Sequence, residues 1–214
     1  RGEIEVLYQP QFSCLDDRLS GAEALARWDH PQLGRIGAGG LFAIAERADH
    51  VAQLSREIQR RALEGARDWP MDLRLSLNVT PNDLIAENFA AEFAALVSDS
   101  GFAPWRVTLE VTEQVLLADV SHAARALGQL AGQGMRIALD DFGAGFCNFR
   151  YLKLLPLHYL KLDRSMIDGV LAAWRAQPAA QRPELILFGQ SLGAMGTQGA
   201  WDASDTPVDV TAEI

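Results

Sequence analysis

The strongest constraint on the fold is an alternation of short apolar runs and longer segments with helical spacing, which begins at Leu73. The apolar runs predict strands at Leu73–Val79, Val107–Val111, Arg136–Asp140 and His158–Leu162. The longer segments predict helices at Phe89–Ser100, Val120–Gln133 and Ser165–Ala173. Strands that alternate with helices of this length are joined by crossovers and lie parallel. An open doubly wound sheet and a β/α barrel both satisfy this pattern.

The residues before this repeat follow a different pattern. Ile4–Tyr8 and Leu19–Trp28 are predicted strands, and the turn at Asp16–Arg18 predicts that they form an antiparallel hairpin. The glycine-rich stretch His30–Gly40 is predicted to be a loop. Apolar residues at helical spacing predict two helices that follow it, at Leu41–Ala48 and Val51–Asp68.

Composition and charge exclude several classes of protein. The 214 residues are 49% hydrophobic and 22% charged, which is too apolar for a disordered chain. The net charge of −9 argues against a protein that binds nucleic-acid polymers. No apolar run approaches the roughly 18–20 residues of a membrane span.

Two cysteines, Cys14 and Cys147, favour a reducing, cytoplasmic setting. Because the chain begins with Arg1, we expect a cytoplasmic domain of a larger protein, including a membrane-anchored one.

Polar residues end the apolar strands at regular intervals. They are Glu23, Asn78, Glu110, Asp140 with Asp141, and Lys161 with Asp163. Asn78, Glu110 and Asp140 are 32 and 30 residues apart, about one β/α unit each. In a barrel, successive strand ends converge on one rim, where active sites are built. Clustered carboxylates must be neutralised by cations or protons, and oxygen-rich sets suit Mg²⁺ or Mn²⁺. The pattern therefore predicts a site for these metals.

Each of these residues also has a simpler interpretation. Lys161 could be a surface lysine, and Glu23 a solvated residue of an edge strand. Glu110 and Glu113 could complement the dipole of the helix that follows them. Asp140 and Asp141 could be turn residues before a glycine. Together these interpretations require five independent coincidences, so metal binding is the favoured hypothesis.

Six motifs, in order, resemble the EAL-domain family of cyclic-di-GMP phosphodiesterases. They are Tyr8-Gln9-Pro10, Glu23-Ala24-Leu25, Leu77-Asn78-Val79, Leu109–Glu113 (LEVTE), Asp140–Gly145 (DDFGAG) and Leu160–Ser165 (LKLDRS). The three-letter match alone carries little weight, but six ordered motifs make chance very improbable. The resemblance implies an α/β fold, a modified TIM-like (β/α) barrel whose first strand is antiparallel. It places the EAL domain at residues 1–171.

The resemblance also implies a role for each matching residue. The first metal would be bound by Glu23, Asn78, Glu110 and Asp140, and the second by Asp140 with Asp141. Lys161 would hold the attacking water or stabilise the developing charge, with Asp163 beside it on the substrate side. Further contacts to the dinucleotide would come from Gln9, Leu25 and Arg27. The loop that positions the metals would be supported by Glu113, Gly143 and Gly145. The implied reaction is metal-assisted hydrolysis of cyclic-di-GMP to the linear dinucleotide pGpG.

The resemblance weakens towards the C-terminus. Ala144, Phe146, Cys147 and Asn148 replace residues that carry hydroxyl groups in the family. After Leu171 the family motifs end, so residues 172–214 are predicted to be a divergent tail with a helix at Glu184–Met195. A barrel without its last strands has open edges. We therefore expect a barrel that is incomplete at a truncated or frame-shifted C-terminus, with a weakened second metal site.

Two other functions follow from these departures. One is a catalytically impaired module that binds cyclic-di-GMP and signals to a partner. The other is a truncated fragment without function. The resemblance also implies flanking sensory or GGDEF domains in the parent chain and a homodimer as candidate partners.

Overall fold

A computed structural model describes residues 4–13, 16–143 and 153–163, together with positions 168, 169, 172 and 176. The strands are β1 (Ile4–Phe12), β2 (Leu19–His30), β3 (Gly34–Gly37), β4 (Arg74–Asn78), β5 (Val107–Thr112), β6 (Arg136–Phe142) and β7 (Tyr159–Leu162). The helices are α1 (Ala38–Arg47), α2 (Val51–Ala66), α3 (Pro81–Ile85), α4 (Phe89–Ser100) and α5 (Val115–Gly132). A 3₁₀ turn at Pro104–Arg106 leads into β5.

All seven strands form one sheet in the order β1-β2-β4-β5-β6-β7, with β3 paired to β2. β1 and β2 are antiparallel, and β2, β4, β5, β6 and β7 are parallel neighbours. The predicted fold class is therefore confirmed: the chain is α/β, with an antiparallel first strand. The parallel order is consistent with a TIM-like barrel, and in the described residues β1 and β7 are the outermost strands.

The first hairpin is fastened to the rest of the fold at Tyr8. The hydroxyl group of Tyr8 donates a hydrogen bond of 2.9 Å to the carbonyl oxygen of Ala62 on α2. Gly65 makes this approach possible, since a Cβ atom there would lie 2.1 Å from the Tyr8 oxygen. The next residue, Gln9, points to the other face of β1. It pairs in register with Glu23 on β2. The contact with α2 thus fixes the strand that flanks the predicted site.

The two faces of the parallel strands differ in chemistry. One face carries Leu75, Leu77, Leu109, Ile137 and Leu139, which are buried in one core cluster with residues of the helices. We call the opposite face, which carries the alternate residues, the inner face. It includes the buried polar residues Glu23, Ser76, Thr108 and Glu110. Parallel strands are normally buried on both faces, so the polar inner face requires a chemical reason.

Several predicted boundaries in the first half of the chain were wrong. The predicted loop His30–Gly40 contains β3 and the first turn of α1. Glycine is a poor helix former, but Gly40 packs against Ile36, where a Cβ atom would lie 2.8 Å from a side-chain carbon. This close packing outweighs the local propensity.

Helix α3 was missed because its signal is a cap and not an apolar repeat. The Thr80 hydroxyl oxygen accepts a bond from the backbone N–H of Asp83, and the Asp83 carboxylate accepts one from the backbone N–H of Thr80. Pro81 follows at the first helical position, where a missing N–H costs nothing. These residues together start a helix of only five residues.

Helix α5 starts at Val115, five residues before the predicted Val120. Its backbone is not helical at Asp119, whose φ is −150° and ψ is 91°. The Asp119 carboxylate accepts a hydrogen bond from the backbone N–H of His122 at 2.9 Å. Asp119 thereby caps the second part of α5, which is the part that the apolar spacing predicted.

Three predictions lie wholly or largely outside the described residues: the turn at Gly145, most of the helix at Ser165–Ala173, and the helix at Glu184–Met195. Among the helices that the structure describes, none has both the length and the apolar character needed to cross a membrane.

Candidate metal centre

Three carboxylates from three strands meet on the inner face of the sheet. Glu23 lies on β2, Glu110 on β5 and Asp140 on β6. One carboxylate oxygen from each lies within 4.8 Å of the others. The side chain of Glu110 is almost fully enclosed, with 1% of its surface exposed, and those of Glu23 and Asp140 are 11% and 19% exposed. Carboxylates this close and this deeply buried need positive charge beside them.

Lys161 on β7 supplies part of that charge. Its Nζ atom donates hydrogen bonds to Glu110 at 2.6 Å, Asp140 at 2.8 Å and Glu23 at 3.2 Å. With all three carboxylates ionised, one ammonium leaves the group with a net charge of −2. A divalent cation is therefore the charge that would balance the cluster.

Asn78 and Asp141 border the carboxylates. The Asn78 amide nitrogen on β4 donates to Glu23 at 3.0 Å, so an uncharged oxygen donor stands beside the acids. Asp141 is exposed and has a positive φ of 54°, a conformation that aspartate tolerates better than most residues. Its backbone N–H donates to the Asp140 carboxylate at 2.9 Å. This donor set of carboxylate and amide oxygens fits a hard divalent cation.

Burial and charge change the proton affinity of the site residues. Burial is the main reason that the pKa of Glu110 rises to about 7; Lys161 opposes the rise, and the charges of Glu23 and Asp140 add to it. Burial would lower the pKa of the Lys161 ammonium, but Glu110, Glu23 and Asp140 outweigh it and raise that pKa. Burial, followed by the charge of Asp140, raises the pKa of Asp141. Perturbed values of this kind cluster at functional sites.

The geometry excludes the simpler interpretations of three residues. Lys161 is not a surface lysine, since its side chain is 24% exposed and contacts three acids. Glu110 lies inside β5 and not at the start of a helix. Glu23 is buried on a strand that has neighbours on both sides.

The residues predicted to contact a substrate share the inner face near Glu23. Leu25 and Arg27 follow Glu23 at intervals of two on β2, which places all three on one side of the strand. Gln9 lies opposite Glu23 on β1 and is half-buried. The Arg27 guanidinium donates to the carbonyl oxygen of Ala26 at 2.8 Å. Their roles in binding stay predictions.

The residues predicted to support the metal loop are in contact where the structure describes them. The backbone N–H of Gly143 donates to the Glu113 carboxylate at 3.3 Å. Gly143 has a φ of 98°, which favours glycine over any residue with a side chain. Gly145 lies outside the described residues. Asp163 follows β7, and its backbone N–H donates to the carbonyl oxygen of Phe142 at 3.0 Å.

Sequence reasoning missed the polar residues on the inner face below the carboxylates. Ser76 lies two positions before Asn78 and accepts a hydrogen bond of 3.3 Å from the Gln11 amide. Thr108 lies two positions before Glu110 and is buried. The signal was present in the alternation of β4, where Arg74, Ser76 and Asn78 alternate with two leucines.

A comparison with models of protein families shows which family the chain belongs to. The family model described as "EAL domain" matches residues 1–195 of the 214. The chain belongs to the EAL-domain family. The match continues past Leu171, where the recognisable motifs end, and includes the segment Glu184–Met195.

Curated relatives and solved structures agree with this assignment. The cyclic di-GMP phosphodiesterase PA2567 of Pseudomonas aeruginosa is 34% identical over 181 residues, which is 83% of this chain and 31% of that protein. The cyclic di-GMP phosphodiesterase NbdA of the same organism is 32% identical over 183 residues, which is 84% of this chain and 23% of that protein. The EAL-domain chain spans about a fifth to a third of the length of the curated relatives it matches.

A solved structure of the PaMucR phosphodiesterase in complex with c-di-GMP has a similar fold. Its TM-score is 0.75 at 25% sequence identity, and the alignment covers 94% of this chain and 87% of that one. The mixed α/β sheet described above is therefore the fold of this family.

Proposed function

We propose that this EAL domain is a metal-dependent phosphodiesterase that hydrolyses cyclic-di-GMP to the linear dinucleotide pGpG. The observation that carries the proposal is the group of Glu23, Glu110 and Asp140 around the Lys161 ammonium. Relatives that are named cyclic di-GMP phosphodiesterases support the choice of substrate.

In this proposal, Mg²⁺ or Mn²⁺ is held by Glu23, Asn78, Glu110 and Asp140, and Asp141 joins Asp140 at a second ion. When bound, the ions supply positive charge beside the phosphodiester and make water a stronger nucleophile. The carboxylates hold this charge in a buried place, where its effect on a phosphate is strongest. The positive charge of the bound ions would also explain how a chain with a net charge of −9 can accept an anionic dinucleotide.

Lys161 has two roles in the proposed reaction. Its Nζ atom already holds the three acids together through hydrogen bonds of 2.6–3.2 Å. Its raised pKa keeps the ammonium charged at neutral pH, so it stabilises negative charge that develops on the phosphate oxygens. The half-buried Arg27 would pair with a phosphate through its planar guanidinium group, and Gln9 and Leu25 border the same face.

The test measures product and binding in the same preparations. The 214-residue chain is incubated with cyclic-di-GMP and Mg²⁺ or Mn²⁺, pGpG is quantified by chromatography, and binding is followed by calorimetry. We expect turnover that falls by about 100-fold or more in Glu110→Gln and in Lys161→Met. The matched control is Glu64→Gln on α2, whose side chain is 56% exposed, and it should retain full turnover.

Two outcomes would contradict the proposed enzymatic function. Saturable binding of cyclic-di-GMP without any product would make this chain a sensor module. Neither binding nor product, with a non-cooperative thermal melt, would make it a fragment without function.

A further inference from the structure

A second polar group lies on the inner face at the end of the sheet opposite to the carboxylates. Arg74, Arg136 and Tyr159 are the first residues of β4, β6 and β7. Each precedes a residue of the metal centre by an even number of positions, so it shares the face of Asn78, Asp140 or Lys161. All three side chains are half-buried.

The two guanidinium groups converge on one phenol oxygen. Arg74 donates a hydrogen bond of 2.5 Å to the Tyr159 hydroxyl oxygen, and Arg136 donates to the same atom. The guanidinium carbon of Arg136 also lies 5.6 Å from the centre of the Tyr159 ring. A phenol oxygen that accepts two N–H groups still has its own O–H to donate. Three donor groups therefore meet at one point.

This convergence leaves positive charge without a counterion among the described residues. Arg18, Arg35, Arg56, Arg60 and Arg61 each form an ion pair with a carboxylate. In the described ranges no such pair is seen for Arg74 or Arg136, whose shared partner is neutral. Two like charges that meet at one atom repel each other, and the repulsion is relieved when an anion lies between them.

The arginine pair is separate from the metal centre. Arg74 and Arg136 each lie four residues before a member of that centre, which is about 13 Å along a strand at roughly 3.3 Å per residue. Ser76, Thr108 and Ala138 fill the inner face between the two groups and are 3%, 5% and 1% exposed. A ligand at the arginine pair would thus not occupy the space of the carboxylates.

We propose that Arg74, Arg136 and Tyr159 form a binding site for a small tetrahedral oxyanion of the phosphate class. Planar guanidinium groups bind such anions through two parallel N–H···O bonds, which a point charge cannot do. The Tyr159 hydroxyl, fixed between them, contributes the third donor. The site is independent of the proposed phosphodiesterase activity.

The test is a titration of inorganic phosphate into the full chain, followed by calorimetry. The buffer contains EDTA, so that no metal ion can hold phosphate at the carboxylates, and chloride keeps the ionic strength constant because salt screens charge. We expect one phosphate bound per chain. Arg74→Gln and Arg136→Gln should each weaken binding by about 10-fold or more, since each removes a charged hydrogen-bond donor. Tyr159→Phe should weaken it less.

The matched control is Arg67→Gln, an exposed arginine at the end of α2, which should bind phosphate as the wild type does. If either glutamine variant fails to melt cooperatively, Arg74→Lys replaces it; this variant keeps the charge, loses the fork and should still bind more weakly. The proposal is wrong if the wild type shows no saturable binding. It is also wrong if the arginine variants bind like the wild type, or if Arg67→Gln weakens binding as much as they do.

Discussion

At the scale of single residues, the burial of Glu110 gives this protein a carboxyl group whose pKa is shifted towards neutrality. Its folded-state pKa of about 7 lies above the ordinary value of a glutamate, so the folded protein binds more protons than the unfolded chain in the interval between the two values. The contribution of protonated Glu110 to the stability of the folded state is fully present below this interval, and it is lost as the pH rises through it. Carboxylates with lowered pKa, such as Glu57 at about 2, change protonation at lower pH.

We therefore expect the free energy of unfolding in metal-free buffer to fall between about pH 5 and pH 8. Glu110→Gln should remove most of this slope, because glutamine does not titrate, whereas Glu64→Gln should keep it. Urea denaturation followed by circular dichroism, at several pH values with EDTA, measures the slope. An equal slope in Glu110→Gln and the wild type would contradict the assignment.

At the scale of elements, a buried arginine joins the start of β5 to the loop before β4. Arg106 is 2% exposed, and its guanidinium donates to the carbonyl oxygens of Leu73 at 2.7 Å and Pro70 at 2.6 Å. It also lies 4.2 Å from the centre of the Phe102 ring. These contacts join two strands that carry Asn78 and Glu110, so Arg106 helps to position two residues of the candidate metal centre.

Arg106→Lys should lower the free energy of unfolding by about 2–3 kcal/mol, because the ammonium cannot satisfy the same carbonyl oxygens or stack on the ring. The exposed Arg67→Lys should change it by less than about 0.5 kcal/mol. Both values come from urea titrations under identical conditions. A loss in Arg106→Lys as small as that of the control would show that the fork geometry is unimportant here.

At the scale of the whole molecule, the candidate metal centre connects strands that are far apart in the chain. Lys161 and Glu23 are 138 residues apart, and their contact requires the order β2-β4-β5-β6-β7 to be in place. A cation that binds this cluster binds only the folded state, so it stabilises the entire sheet.

Mg²⁺ or Mn²⁺ should thus raise the melting temperature of the chain, and more at about pH 8 than at about pH 6, because the carboxylates must be ionised to bind. Asp140→Asn should lose most of the increase, whereas Asp99→Asn, an exposed position on α4, should keep it. Differential scanning calorimetry with and without EDTA measures the effect. A shift of equal size in Asp140→Asn would mean that the ion binds elsewhere.

Much of this architecture was accessible from the residue pattern. The bounds of α4 agree with the predicted Phe89–Ser100, and the four parallel strands from β4 to β7 were predicted within two residues at each end. The failures have local causes: α3 depends on the cap at Thr80, and the start of α1 on packing between Gly40 and Ile36. Such contacts leave no periodic signal in the sequence.

The sequence alone determined which polar residues end the strands and in what order they occur, and so predicted the candidate site. Because side chains alternate along a strand with a period of two, the sequence fixes which residues of each strand share a face. The spacing of apolar residues fixes the alternation of strands and helices. Only the tertiary structure decided that Lys161 contacts three acids, that Glu110 is enclosed, and that Arg74 and Arg136 meet at Tyr159. The physical reason is that distances between strands depend on their register and neighbours, and burial depends on everything packed around them.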